Sequence, residues 1–256
     1  METVKFIALF VAIVLLNTNE LLAQNGSTTQ AFWIHEDQVK PAMLKEYEAV
    51  TKDFIKACKE HNLKDADWAT ARIDGGTYLT IAPINSMADF DKNPMAPLAE
   101  KMGEENFRAI FSRFDKCYDT HRNYMVHLIN DMSYMPNGLT TNTEGEDYRK
   151  WHFFHVTPQN VANLRDKMKE VKSLYETKGA TQHFRIYRNG FGSTGDYYLV
   201  VISAKDAQSY AKTSEETDKL LGEEGEKLFD DLMQYVHKYE SKTGRMRPDL
   251  AYNSSN

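Results

Sequence analysis

The sequence predicts a mixed α+β protein: two βαββαβ units whose antiparallel sheets pack together as one α/β barrel within the chain. Three observations lead there. First, the chain weakly repeats itself, since His35, Leu44 and Phe54 are followed 120 residues later by His155, Leu164 and Leu174, and Tyr78-Leu79-Thr80-Ile81 by Tyr198-Leu199-Val200-Val201. Self-similarity at a fixed long spacing indicates two copies of one fold. Second, within each copy the apolar spacing switches between the two-residue period of a strand and the three-to-four-residue period of a helix. Third, Phe32, Trp33, Ile34 and Tyr78 leave neither face of the predicted sheet polar. Helices cover one face, and the other unit is the short way to cover the second.

Residues 1–23 stand apart from both units. Lys5 is followed by an unbroken apolar run over residues 6–16 and then by Leu21-Leu22-Ala23-Gln24, which reads as a secretory signal peptide cleaved after Ala23. The run is well short of the ~20 residues of a spanning helix, so the expectation is a secreted or periplasmic protein with no membrane attachment after cleavage. The first unit covers residues 31–137. An aromatic and β-branched strand over 31–35 leads to Pro41, which opens a helix with Leu44, Tyr47, Val50, Phe54 and Cys58 on one face. Strands over 68–72 and 77–82 flank a tight turn at Asp74-Gly75, a pair suited to positive φ. A short polar helical piece over 86–92 is cut by Pro94; one long second helix follows, carrying Leu98 through Tyr118, and a strand over 124–129 closes the unit.

The polar segment 138–147 lacks periodicity and reads as a linker. The second unit, 148–250, repeats the order: a strand over 151–156, a helix with Leu164, Met168, Val171 and Leu174, strands over 182–188 and 197–202, a helix with Leu228, Leu232 and Val236, and a weak final strand. The second helices align in two ways, by Gly103-Glu104-Glu105 with Gly222-Glu223-Glu224 or by Phe107 with Phe229.

Composition narrows the partners. With 31 basic and 37 acidic residues and a net charge of −6, the chain lacks the basic surface that nucleic acid requires. Cys58 and Cys117 are the only cysteines. Export favours a bond between them, but both fall near the carboxyl ends of antiparallel helices, at opposite ends of a unit, so buried free thiols are expected.

An element order of βαββαβ, with both helices on one sheet face, is the ferredoxin-like arrangement. Doubled, and with a broken segment at Pro94 before the second helix, the chain resembles the dimeric α/β-barrel superfamily. That resemblance covers nearly all of the chain after residue 23 and rests on element order, not on an invariant motif. It implies an intramolecular barrel, and it implies functions that range over cofactor-independent monooxygenases, haem-binding and haem-processing enzymes, and stress-response proteins without known chemistry.

Candidate site residues come from the repeat. His35 and His155 end the first strands of the two units, in step with Trp33 and Phe153. In an aromatic pocket such histidines serve as a general base or as a haem ligand; otherwise they cap the following helix. Tyr78 with Arg72 and Tyr198 with Arg188 recur as pairs able to hold an anionic or phenolic ligand, or to pack at the sheet surface. No metal set is evident, since no spacing of His, Cys, Asp and Glu matches a zinc site. Gly190 to Gly195 satisfy G-x-G-x-x-G, but a strand follows where a dinucleotide site needs a helix, so they read as a flexible hairpin tip. G-x-S-x-G, H-E-x-x-H and C-x-x-C do not occur. Three readings stay open: an exported binder of a small hydrophobic or aromatic ligand, an oxygen-using or haem-linked enzyme, and an interaction module without a ligand. The assembly is a monomer or a homodimer, and no cofactor is required.

Overall fold

The computed structural model describes residues 29–254, so the predicted leader lies outside the described residues. The first half contains β1 (Thr29–Val39), α1 (Leu44–Glu60), β2 (Ala69–Ile73), β3 (Thr77–Ile84), α2 (Ala96–Met102), α3 (Glu104–Phe114) and β4 (Tyr118–Ile129). The second contains β5 (Tyr148–Val156), α4 (Val161–Lys178), β6 (Phe184–Asn189), β7 (Asp196–Ala204), α5 (Ala207–Met233) and β8 (Val236–Met246). Alternation along these strands sorts the side chains. Ile34, Leu79, Val126, Trp151 and Val201 point inward and form one buried cluster. Residues of opposite parity, such as Phe184, Ile186, Tyr198 and Ile202, face outward and pack under Leu164, Met168 and Leu174 of α4.

The strands form one closed antiparallel barrel in the order β1-β3-β2-β8-β5-β7-β6-β4. Each half supplies four neighbouring strands, and the halves join twice through backbone pairing, β2 with β8 and β4 with β6. The predicted sheets therefore do more than face each other: they share hydrogen bonds at both seams, which removes the open edges that invite aggregation. Because every pairing is antiparallel, β1, β2, β5 and β6 all run the same way along the barrel.

Glycines make the seams. At Gly244 a Cβ would collide with the carbonyl oxygen of Arg72 on β2. At Gly192, with φ of +83°, a Cβ would meet the Asn123 carbonyl oxygen at 2.6 Å. The G-x-G-x-x-G segment is thus not a loose tip. Gly190 N donates to Met125 O at 2.8 Å and Met125 N to Phe191 O at 2.8 Å, which extends the β4–β6 seam.

Several boundaries differ from the sequence expectation. The long second helix of the first half is two helices, broken at Gly103 with φ of +84°; α5 has its own break at Gly222, with φ of 56°. The alignment through Gly103 and Gly222 is the structural one. Strand β4 begins at Tyr118, and β8 is a full strand of 11 residues whose polar sequence reflects its largely exposed outer side. Cys58 and Cys117 are both free and buried, in different apolar clusters. Burial pushes the Cys58 thiol up to about 12, so it is inert at neutral pH.

The register also corrects the pairing of the histidines. β1 bulges after Gln38 and β5 after His155, so His155 occupies the place of Gln38, and the counterpart of His35 is His152. The first strands correspond at a spacing of 117, whereas Tyr78 and Tyr198 in the third strands correspond at 120. A slip of three residues, an odd number, exchanges the two faces of a strand. Hence His35 and His155 lie on opposite sides of the barrel wall.

Candidate functional site

The barrel encloses a cavity of about 720 Å³, within the range of small-molecule sites, roughly 300–1,000 Å³. Its middle is apolar, lined by Phe32, Ile34, Leu79, Val126, Trp151 and Leu199. Aromatic rings make part of the wall: Phe153 meets Tyr197 edge-on at 5.6 Å, and Phe32 meets Tyr187 at 6.3 Å.

Each end is polar, and the ends differ in charge. At the end where β1 and β5 finish, Arg122 holds Glu36 through Nε and Nη2 at 2.9 and 2.7 Å, and the Tyr124 hydroxyl donates to the same carboxylate at 3.0 Å. Beside them His155 Nε2 lies 2.9 Å from Glu240, its ring stacked on Phe153. Lys242 sits 5.4 Å over the Phe153 ring. Lys238 and His155 lower the Glu240 pKa. Carboxylates and cations are matched here.

At the opposite end the cations lack a carboxylate in direct contact, although Asp147 and Glu146 act on Arg149, and Glu146 on Arg185, from a distance. Arg149 and Arg185 are 1% and 2% exposed and both line the cavity. Neither makes an ion pair with a carboxylate among the described residues. Arg149 donates to the carbonyls of Glu146, Tyr148 and Thr141, and Arg185 to the Thr140 carbonyl and the Ser203 hydroxyl. Burial, then repulsion from Arg185, lowers the Arg149 pKa to about 10; burial likewise lowers that of Arg185. Both remain cations at neutral pH. A buried ion without a contacting counter-charge costs several kcal/mol, of which carbonyl dipoles and more distant carboxylates return only part. Arg149 and His155 are six residues apart on β5, so the two polar ends are about 20 Å apart along the strand.

Of the residues singled out in the sequence, Phe153 and His155 line this cavity. The other candidate site residues, Trp33, His35, Arg72, Tyr78, Arg188 and Tyr198, lie outside it. Trp33 and His35 share the helix-facing parity of β1, with His35 Nε2 at 3.0 Å from Asp37. Tyr78 is buried beneath α1, its hydroxyl donating to Glu48 at 2.6 Å, with Arg72 5.7 Å over its ring. Tyr198 carries Arg188 at 4.9 Å in the same way. The Tyr–Arg pairs do correspond, each directly across a hairpin ladder, but they pack between sheet and helices. Neither histidine fits a haem axial ligand: His35 lies outside the lumen, and His155 turns Nε2 onto Glu240. The cavity residues that sequence reasoning missed, Glu36, Arg122, Arg149, Arg185 and Glu240 among them, read there as ordinary surface charges. The one local signal was parity, since each shares the inward register of apolar neighbours.

No family model matches the chain, and no curated protein matches it. Solved structures do match. An anthrone oxidase-like protein superposes with a TM-score of 0.54 at 12% identity, covering 85% of this chain and 91% of its own. A monooxygenase-like protein from Lactobacillus acidophilus NCFM gives 0.53 at 9% identity, covering 88% and 98%. A second, from Fusobacterium nucleatum, gives 0.52 at 11%, covering 85% and 92%. The likeness is one of fold. It places the chain's architecture with the dimeric α/β-barrel proteins.

Proposed function

We propose that this protein binds an elongated aromatic molecule with an anionic group, its apolar body in the barrel and its anion between Arg149 and Arg185. The observation that carries this reading is the pair of buried guanidiniums, neither in contact with a carboxylate, at one end of an aromatic cavity. An arriving carboxylate or sulfonate supplies a counter-charge in direct contact, and guanidinium is the cation best shaped for such groups. Trp151, inside the lumen, supplies a signal. The test is a titration with 8-anilino-1-naphthalenesulfonate under native conditions. One equivalent should bind and change tryptophan emission, and Arg149→Met or Arg185→Met should weaken binding about tenfold or more, as loss of a charge-assisted bond predicts. Leu199→Trp, which fills the lumen, should abolish binding. Binding that is unsaturable, or indifferent to all three changes, defeats the proposal.

A second reading rests on His155. An imidazole inside the lumen, oriented by Glu240, is placed as a general base for an acidic phenol or enol. Proteins of this fold include ones named anthrone oxidase-like and monooxygenase, so anthrone is the substrate to try. Oxygen uptake with anthrone that disappears in His155→Ala supports this reading; no uptake, or uptake equal in the variant, removes it. The apolar run over residues 6–16 supports action outside the cytoplasm, which amino-terminal sequencing of protein from the native host checks. The matching element order of the two halves supports their origin by duplication.

A further inference from the structure

Strand pairing assembles one cluster that the lumen does not use. On the helix-facing side of the barrel, Asp37 lies directly across from His121 in the β1–β4 ladder and His35 across from Asn123. A ring nitrogen of each histidine and a carboxylate oxygen of Asp37 come within 4.8 Å of one another, the one such group of three among the described residues. We propose that His35, Asp37 and His121 bind a single borderline divalent cation of the zinc or cobalt class, with two imidazoles and one carboxylate as ligands.

The first argument is the contact between His35 and Asp37. Nε2 stands 3.0 Å from Oδ1 of a side chain that is 5% exposed, and apart from His35 that oxygen has no polar partner among the described residues. With the imidazole protonated this is an ion pair; with it neutral, the two atoms face each other as two acceptors. Two ligands on adjacent corners of one ion stand in that relation, because bonds of about 2.0–2.2 Å set neighbouring donor atoms about 3 Å apart, each aimed at the metal.

The second argument is the outer ring of contacts. His35 Nδ1 lies 2.9 Å from Asn123 Oδ1. An acceptor there draws the proton to Nδ1 and leaves the Nε2 lone pair for a metal, as partners of ligating histidines do. Asp37 Oδ2 accepts from the Tyr47 hydroxyl at 2.7 Å, which orients the carboxylate. His121 is exposed, stacked on Tyr118 and edge-on to His35 at 5.3 Å, and makes no hydrogen bond or ion pair with the described residues. Its ring is available.

The third argument comes from the other half. At the equivalent positions the second half carries His152, Phe154 and Tyr239, which supply no carboxylate and one imidazole. The site is therefore single. Three protein ligands at a surface leave a coordination position for water, and mixed nitrogen and oxygen donors suit zinc, cobalt and their neighbours over calcium or magnesium. The rival occupant is a proton: burial opposes the imidazolium, but Asp37 and then Asn123 raise the His35 pKa.

Cobalt separates the two. Co²⁺ added to the untagged chain after stripping with chelator should give visible absorption bands that saturate at one equivalent, be displaced by Zn²⁺, and raise Tm. His121→Ala, at an exposed position that leaves the fold intact, should weaken binding about tenfold or more. Asn123→Leu, which frees the His35 ring to turn, should weaken it comparably. His152→Ala should change nothing. Bands that fail to saturate at one equivalent, or a His121→Ala protein that binds as tightly as the natural chain, overturn the site. Lumen variants such as Arg149→Met leave it untouched, so its failure and that of the proposed ligand pocket are read separately.

Discussion

His35 and His152 occupy equivalent places on the two first strands, and their surroundings shift their pKa values in opposite directions. At His35 burial lowers the pKa, but Asp37 and then Asn123 outweigh it and raise it above the ordinary value. His152 lies between the hydroxyls of Tyr239 at 2.6 Å and Tyr210 at 3.2 Å, and burial, followed by repulsion from Lys150, lowers its pKa to about 4. The sign follows. Below the ordinary value of about 6.5 the unfolded chain takes up a proton that the folded chain refuses until about pH 4, so His152 drains stability as pH falls through that window. A series of Tm measurements should show His152→Gln losing less stability than the natural chain between pH 6.5 and 4. Curves that stay parallel would show that His152 is protonated in the folded state. At this scale the sequence showed residue types but not their partners: His152 and Tyr239 are 87 residues apart and meet because β5 pairs with β8.

At the scale of elements, the barrel depends on its two seams. β2 is short, 5 residues, and its pairing with β8 spans Ala71 to Ile73 against Gly244 to Met246. Asp74 N adds one backbone bond to Thr243 O at 2.8 Å. At Gly244 the strands approach too closely for any side chain, and the contact is with backbone, which cannot rotate away. Gly244→Ala should therefore cost about 1–3 kcal/mol, the range of forced overpacking, measured as a lower urea midpoint with unchanged slope. Gly75→Ala serves as a contrast: it lies at a hairpin tip with φ of +93° and open space around its Cβ position, so its cost is backbone strain alone. A Gly244→Ala protein as stable as the natural chain would mean that the seam can open without loss. Helices and hairpins were legible here because they are local. The break at Gly103 was missed because Gly sits inside an apolar periodicity that runs on to Phe114, and periodicity alone does not register a single residue of positive φ.

For the whole molecule, closure is the organising fact. The inward faces of both halves, with Ile34, Leu79 and Val126 on one side and Trp151 and Val201 on the other, form a single buried cluster. Neither half hides its own share. Residues 29–137 produced alone should therefore self-associate or aggregate in sedimentation analysis, since an exposed apolar sheet with two open edges seeks a partner. A stable monomer would show that the inner face tolerates water.

Taken by itself, the sequence determined the fold class, the element order and the need for two sheets to cover each other, because those follow from local periodicity and from the amount of apolar surface. It also determined that Phe153 and His155 share a face, because alternation along a strand is strict. Only the tertiary structure decided which face lines the cavity, that Arg149 and Arg185 converge there without a contacting carboxylate, and that His35, Asp37 and His121 meet outside it. The physical reason is register. A strand has two faces and a period of two, so a shift of a single residue exchanges interior for exterior, and the bulges and seams that set the shift are made by contacts between strands distant in sequence.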